Sequence, residues 1–180
     1  MIDNTAFKKE LEERVKEINA GIAGYLPEEK GCQKTIFEAM NYSMNAGGKR
    51  LRPLLMQEVC RLFTGEVSEI VKPFMAAIEM IHTSSLVHDD LPCMDDDMIR
   101  RGKASTWAEY GEDIGVLAGD ALMMYAFETA SKAFDAAEDA DALLRAGKAM
   151  GILAAKTGVY GMIGGQTVDV ELAGGLVPKD

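Results

Sequence analysis

The chain has 180 residues, which is enough for one domain with a hydrophobic core. Its net charge of −10 argues against a nucleic-acid partner, since binding to phosphate backbones depends on clustered basic residues. The three cysteines, Cys32, Cys60 and Cys93, are odd in number and widely spaced, which argues against a disulfide framework or a zinc site and fits a reducing, cytoplasmic location.

Helix-forming residues dominate the first half of the chain, and no segment alternates polar and apolar residues for long. We therefore predict an all-α protein that forms a single helical domain over residues 1–180. Apolar residues at helical spacing predict a first helix over residues 4–24, and the charges near its start do not fit a signal peptide. A second helix is expected over about 33–46, before Gly47-Gly48. A third has Pro53 in its first turn and runs to about Phe63.

The second half of the chain begins with a strongly apolar helix that starts near Pro73 and is stopped by Pro92. A helix over about 111–136, a polar turn and a last long helix over about 142–173 follow. Several glycines in the last helix lower its stability and permit close packing or a kink. Because no run of about twenty uncharged apolar residues exists, we expect no membrane span.

An acidic run ends the apolar helix, and its members are Asp89, Asp90, Asp95, Asp96 and Asp97. Carboxylates at this density repel one another and raise each other's pKa values, and a divalent cation removes that repulsion. Mg²⁺ is favoured, because it prefers oxygen ligands and is commonly held by one or two carboxylates plus substrate phosphates. Since Pro92 breaks the helix, its last turn can bring Asp95 round to Asp89. The alternative is a solvated acidic loop.

Basic residues adjoin glycines in the segment Gly47–Pro53, which reads GGKRLRP. The helix dipole disfavours cations at the start of a helix, whereas an anion there is held by free backbone N–H groups as well as by Lys49 and Arg52. The segment lacks the spacing of a P-loop. It predicts a diphosphate site, with a basic surface turn as an equal alternative. Arg100 and Arg101, which follow the aspartates, offer a further surface for a phosphate ester.

Two more polar positions share helix faces with candidate residues. His82 lies seven residues before Asp89 and so on the same face, which favours phosphate binding over the role of a core histidine. Gln166 and Asp169 lie three residues apart on one face. If buried, they need partners, and they either support the metal site or pack helices together.

With these residues, the chain resembles the trans-isoprenyl diphosphate synthases, or polyprenyl synthetases, and especially the bacterial farnesyl diphosphate synthases. The resemblance covers nearly the whole chain. Its motifs, in chain order, are GGKRLRP at Gly47–Pro53, His82, DDLPCMDDD at 89–97, Arg100-Arg101-Gly102, Tyr110-Gly111-Glu112, LAGD at 117–120, and Gly164-Gly165-Gln166 with Asp169. The resemblance implies an antiparallel helical bundle of the isoprenoid synthase type around a deep cavity, usually as a homodimer.

The resemblance also implies a role for each candidate residue. The residues it implies in catalysis are Asp89, Asp90, Asp95, Asp96 and Arg100, of which Asp89 and Asp95 bind Mg²⁺. The residues it implies in binding isopentenyl diphosphate are Lys49, Arg52, His82 and Arg101. It implies that Arg100 contacts the allylic diphosphate, and Gln166 is a further substrate-binding candidate. In the implied reaction the allylic carbon–oxygen bond ionises, the isopentenyl double bond attacks the carbocation, and loss of a proton to the released diphosphate gives farnesyl diphosphate.

The chain departs from the family pattern at two places. Ser84 stands where bacterial farnesyl synthases often have an aromatic residue, so a deeper cavity and a geranylgeranyl product stay open. Family members also continue beyond the position of Asp180 into a second aspartate-rich motif. We therefore expect the chain to be the N-terminal portion of such a synthase, to lack the C-terminal helices of the family fold and to have little activity alone. A non-catalytic relative that binds diphosphate or a partner chain is an alternative, whereas the GGKRLRP segment argues against a terpene cyclase.

Overall fold

The computed structural model describes residues 4–173, and helices make up most of this part of the chain. In chain order, its elements are α1 (Asn4–Ala23), α2 (Lys34–Met44), α3 (Leu51–Thr64), α4 (Val71–Asp89), β1 (Ile99–Arg100), β2 (Lys103–Ala104), α5 (Thr106–Tyr110), α6 (Glu112–Asp135), α7 (Ala140–Thr157) and α8 (Met162–Ala173). The all-α prediction is confirmed. None of these helices is both long enough and apolar enough to cross a membrane.

The backbone divides into two compact units, residues 1–136 and residues 137–180. The core of the first unit lies between α4 and α6. Small side chains on one face of α6, at intervals of three, four or eight residues, are fully buried: Ala118, Ala126, Ala130 and Ala133. They allow the two backbones to approach closely, and Met80 of α4 and Leu122 of α6 fill the space between them without any exposed surface. The prediction of a single domain over residues 1–180 stays a prediction.

Local sequence explains where several helices end. Gly65 follows α3 with a φ of 81°, a left-handed conformation that glycine adopts without strain. Asp139 caps α7, since its carboxylate accepts the Ala142 N–H at 2.6 Å. As predicted, α4 stops before Pro92, and its last residue is Asp89.

The loop predicted after α4 contains a short antiparallel β-hairpin that the sequence did not indicate. Its two turn residues, Arg101 and Gly102, have φ values of 53° and 79°. Two successive positive φ values are those of a type I′ turn, whose twist suits a two-residue hairpin connection. The Tyr42 hydroxyl fixes the hairpin to α2 by donating to the Ala104 carbonyl at 2.8 Å.

In the second unit, the prediction of one long helix over about 142–173 is wrong, because α7 ends at Thr157 and α8 begins at Met162. Glycines explain the break. Gly158 is extended rather than helical, with a ψ of −158°. A side chain at Gly161 would collide with the Lys156 carbonyl, so the turn between the helices requires a residue without a Cβ.

Candidate functional site

The acidic run folds back against the end of α4. The Asp95 N–H donates to the Asp89 carbonyl at 2.9 Å, and the Asp97 N–H donates to the Asp90 carbonyl at 3.1 Å. Asp96 has a φ of 54°, in the left-handed region that aspartate tolerates better than most residues. The predicted return of the chain from Asp95 to Asp89 is therefore confirmed for the backbone.

Asp89 and Asp95 have the chemistry of a shared cation site. Burial raises the pKa of the Asp89 carboxyl, and the neighbouring Asp95 carboxylate raises it further. Within residues 4–173, no three His, Cys, Asp or Glu side chains are placed to hold a metal ion by themselves. Two carboxylates nevertheless suit Mg²⁺, which retains water and takes further ligands from phosphates. The residues present thus fit the predicted ion, and their role as ligands stays a prediction.

Asp90 differs from Asp89 because it is almost fully buried and paired. Its carboxylate oxygens accept from the Arg100 Nε at 2.7 and 2.8 Å, and the Arg100 Nη2 lies 2.5 Å from Oδ1. This hydrogen-bonded carboxylate raises the pKa of the Arg100 guanidinium. The Arg100 Nη2 also lies 3.6 Å from the exposed Asp97 carboxylate. Asp90 thereby holds Arg100 beside the acidic run, while the contact of Arg100 with an allylic diphosphate stays a prediction.

The four residues predicted to hold isopentenyl diphosphate line one cavity of about 570 Å³, the cationic cavity. Its lining residues are Ala46, Gly48, Lys49, Arg50, Leu51, Arg52, Glu79, His82 and Arg101. Arg101 reaches it from the hairpin and donates to the Gly47 carbonyl. A Cβ on Gly48 would lie 2.7 Å from the Arg101 Nη1, so the glycine leaves room for the guanidinium. Residues about fifty positions apart in sequence therefore meet at the start of α3.

The field in this cavity is positive. Burial lowers the pKa of His82, and Arg52 lowers it further, whereas Glu79 opposes the shift. Burial also lowers the pKa of Arg101, and the nearby Arg50 adds to that effect. An anion placed here would relieve the repulsion among these groups.

Arg50 is a site residue that the sequence reasoning missed. It precedes α3 with a left-handed φ of 49°, and its side chain is only 5% exposed. Its Nη1 lies 2.9 Å from the Glu79 Oε1, its Nε donates to the Asn19 Oδ1 at 2.8 Å, and its Nη2 donates to the Met44 carbonyl at 2.6 Å. The signal in the sequence was Glu79 itself, because a charge within the apolar run of α4 requires a buried partner.

Helix α4 sets the distance between the two parts of the site, the cationic cavity and the acidic run. His82 of the cationic cavity and Asp89 of the acidic run are seven residues apart, which is roughly 10 Å along a helix. The hairpin links the two parts, because Arg100 lies with Asp90 and Arg101 lines the cationic cavity. This arrangement can place two diphosphate groups side by side.

Three other candidate residues lie elsewhere. Gln166 is half-buried on α8 in the second unit, whereas Asp169 is exposed and does not meet the condition of burial. Ser84 is fully buried and donates to the Gly119 carbonyl at 2.8 Å. It lines none of the three cavities described in this section, and the expectation of a deeper product cavity stays a prediction.

Two further cavities lie in the first unit. The larger, of about 800 Å³, lies among residues of α1, α3 and α4, and its lining contains none of the predicted site residues. The smaller encloses about 20 Å³ of water-accessible space behind the hairpin. Asp90, Arg100 and Arg101 line the smaller cavity, which therefore adjoins both parts of the site.

Comparison with known proteins agrees with the resemblance seen in the sequence. A family model described as polyprenyl synthetase matches residues 33–174. The chloroplastic heterodimeric geranylgeranyl pyrophosphate synthase large subunit 1 of Arabidopsis thaliana is 49% identical over 139 residues, which cover 77% of this chain and 37% of that protein. Chloroplastic geranylgeranyl pyrophosphate synthase 11 of the same plant is 41% identical over 174 residues, which cover 97% and 47%.

Solved structures give the same result. An apo structure of an FPP/GFPP synthase from Zymomonas mobilis matches with a TM-score of 0.86 and 37% identity, over 98% of this chain and 62% of that one. The chain spans less than half the length of the two curated relatives described above.

Proposed function

Since the chain belongs to the polyprenyl synthetase family, we propose that it takes part in condensing isopentenyl diphosphate with an allylic diphosphate. The observation that carries this proposal is the cationic cavity. Lys49, Arg52 and Arg101 line it, and its one acidic lining residue, Glu79, is neutralised by Arg50. A cavity with this excess of positive charge suits a diphosphate group.

In the proposed reaction, the cationic cavity binds the diphosphate of isopentenyl diphosphate through Lys49, Arg52, His82 and Arg101. This binding orients the isopentenyl double bond for attack. Arg100, which the buried Asp90 keeps in one orientation, contacts the diphosphate of the allylic substrate. Its charge stabilises the leaving group as the carbon–oxygen bond breaks.

Asp89 and Asp95 are the residues that would hold Mg²⁺ in this proposal, with Asp96 in support. When bound, Mg²⁺ would supply Lewis-acid stabilisation of the departing diphosphate. The protein provides the two carboxylates on a fixed backbone turn, because the Asp95 N–H bonds to the Asp89 carbonyl. The Asp89 and Asp95 carboxylates repel each other in the absence of a cation, and this repulsion favours the binding of a cation between them.

The length of the product is a finer part of the proposal. We predicted farnesyl diphosphate from the sequence, but the names of the two curated relatives support geranylgeranyl diphosphate as the product. Ser84, the small residue that leaves a longer product open, donates its hydroxyl to the Gly119 carbonyl. Extraction of the products formed from labelled isopentenyl diphosphate and geranyl diphosphate, followed by chromatography against prenyl alcohol standards, separates the two.

Binding of isopentenyl diphosphate to this chain, measured by calorimetry, tests the cationic cavity. Arg101→Gln should weaken binding by about tenfold or more, since a charge-assisted hydrogen bond in a partly buried site contributes about 1.5–3 kcal/mol. Lys34→Gln is the matched control, because Lys34 is an exposed cation of α2 that pairs with Glu38. Equal affinity of wild type and Arg101→Gln would show that the cavity is not the site.

Turnover tests the rest of the proposal. In a chain extended to the length of its relatives, we expect labelled isopentenyl diphosphate to be incorporated only when Mg²⁺ and an allylic diphosphate are both present, and Asp89→Ala to abolish incorporation. Incorporation by Asp89→Ala at a near-normal rate would overturn the assignment of this carboxylate. Whether residues 1–180 alone suffice is measured in the same assay, and the prediction is that they have little activity.

The partner and the location are also proposals. We propose a homodimer, and light scattering on the purified chain measures its mass. The Arabidopsis relative is named as the large subunit of a heterodimer, so a stable monomer that gains mass only with a second, different chain would favour that kind of assembly instead. A cytoplasmic location stays a prediction.

A further inference from the structure

A small cavity behind the arginine hairpin has the size of a single water site. It encloses about 20 Å³ of water-accessible space. A space of roughly 10–15 Å³ is enough for one water molecule, provided that two to four polar groups face it. Its walls come from α2, α4, the hairpin and the start of α5, and it is partly open to solvent.

Two of the hydroxyls that line this cavity have no protein partner among the described residues. These are the Thr83 Oγ1 of α4 and the Ser105 Oγ at the end of the hairpin. Both residues are almost fully buried, at 4% and 2% exposed. A buried hydroxyl without a hydrogen bond destabilises the fold, and such groups are nearly always paired with protein or with water.

The other hydroxyls of the same cavity show that its polar groups are otherwise satisfied. The Ser43 and Thr106 hydroxyls bond to each other at 2.7 Å, and the Tyr42 hydroxyl donates to the Ala104 carbonyl. Ser105 precedes α5 as its N-cap, a position where serine usually accepts a backbone N–H, yet its side chain makes no capping bond. Its hydroxyl is thus free for a partner inside the cavity.

We propose that one water molecule binds in this cavity and bridges the Thr83 hydroxyl to the Ser105 hydroxyl, with the Asp90 carboxylate beside it. The water links α4 to the hairpin through hydrogen bonds and so fixes the position of the hairpin that carries Arg100 and Arg101. A role of this water-mediated link in catalysis rests on the proposed function, whereas the link itself is tested without substrate or turnover.

The stability of matched variants gives the first test. Thr83→Val and Ser105→Ala should each lower the thermal midpoint of unfolding, because each removes one of the water's partners and leaves the other hydroxyl unpaired. The double variant should lose less than the two separate losses together, since one water accounts for both. Thr83→Ser keeps a hydroxyl at residue 83 and should restore most of the midpoint.

Thr129→Val is the matched control. The Thr129 hydroxyl of α6 is also buried and without a protein partner, but Thr129 lines none of the three cavities described above. Replacing an unpaired buried hydroxyl by a methyl group should leave the midpoint unchanged or raise it. If Thr83→Val and Ser105→Ala behaved like Thr129→Val, the small cavity would be dry and the proposal overturned.

Amide hydrogen exchange distinguishes a local loosening of the hairpin from a general loss of stability. In Thr83→Val, the Ser105 amide, which bonds to the Met98 carbonyl at 2.9 Å, should exchange several-fold faster. The core amides of α6 should keep their wild-type protection. If amide exchange became equally faster in the hairpin and in α6, a water-mediated link specific to the hairpin would be contradicted. A crystal structure should show one ordered water within hydrogen-bond distance of both hydroxyls, and hydroxyls bonded to backbone carbonyls instead would also overturn the proposal.

Discussion

The Asp90 carboxylate and the Arg100 guanidinium form an ion pair that ties the end of α4 to the hairpin, at Nε–oxygen distances of 2.7 and 2.8 Å. Asp90 is only 1% exposed, while the adjacent Asp89 is half-exposed and has a raised pKa. Neighbouring aspartates in one motif therefore have different properties. The Asp90 carboxylate is paired with the Arg100 guanidinium, whereas burial and the Asp95 carboxylate raise the pKa of Asp89.

The first prediction concerns this pair. Asp90→Asn should lower the free energy of unfolding by about 1.5–3 kcal/mol, because it removes charge-assisted hydrogen bonds from a nearly buried site. Urea denaturation measures the change. Asp96→Asn is the control, since Asp96 is exposed and asparagine tolerates its left-handed φ. Similar losses in both variants would mean that the Asp90–Arg100 pair does not stabilise the chain.

The second prediction concerns Arg50 and Glu79, whose side chains are 5% and 2% exposed and lie 2.9 Å apart. Glu79→Ala alone should cost about 3–5 kcal/mol, because it leaves a buried guanidinium without its counter-ion. The double variant Arg50→Met with Glu79→Leu should recover most of that loss, since a well-packed apolar pair can replace a buried ion pair. Denaturant midpoints of Arg50→Met, Glu79→Leu and the double variant give the coupling energy. Additive losses would argue against a direct interaction.

Helices with clear apolar periodicity and glycine or proline at their ends could be predicted, because both signals are local. The start of α3 near Pro53 and its end at Gly65 follow from such signals. The return of Asp95 to Asp89 also followed from sequence, since Pro92 prevents the helix from continuing.

Features that depend on distant contacts or on very short elements were not predictable. The hairpin strands have two residues each, too few to show a period of two. The partner of Glu79 lies 29 residues away, so its identity as Arg50 required the fold. Glycines over 142–173 fit a kinked helix as well as a broken one, and only the tight turn at Gly161 decides for two helices.

The third prediction tests the close packing of α4 on α6. A Cβ on Gly119 would collide with the His88 ring, whose Nε2 lies 3.1 Å from the Val116 carbonyl. Gly119→Ala should therefore destabilise the chain by about 1–3 kcal/mol through overpacking. Gly21→Ala in α1 is the control, because nothing lies within 4 Å of its Cβ position, and it should stabilise the chain by about 0.5–1 kcal/mol. A stabilising Gly119→Ala would mean that the His88 ring moves aside at little cost.

The fourth prediction concerns the pH dependence of the cationic cavity. Burial and the charge of Arg52 lower the pKa of His82, and Arg101 and Arg50 act in the same direction against Glu79. The unfolded chain therefore binds more protons than the folded chain as the pH falls below the ordinary histidine pKa of about 6.5. Stability from the neutral ring is present above that pH and is lost as the pH falls through the lower, folded pKa. His82→Gln should lose less stability over this window than wild type, as measured by thermal midpoints.

Inorganic diphosphate should oppose the lowering of the His82 pKa. An anion beside His82 favours the protonated ring, so binding should raise the His82 pKa and take up a proton. The affinity of wild type should then increase more steeply with falling pH than that of His82→Gln, and the comparison cancels the ionisation of diphosphate itself. Ring proton shifts in NMR titrations report the His82 pKa in both states. A pKa that stays the same when diphosphate is bound would place the anion away from His82 and remove this residue from the proposed site.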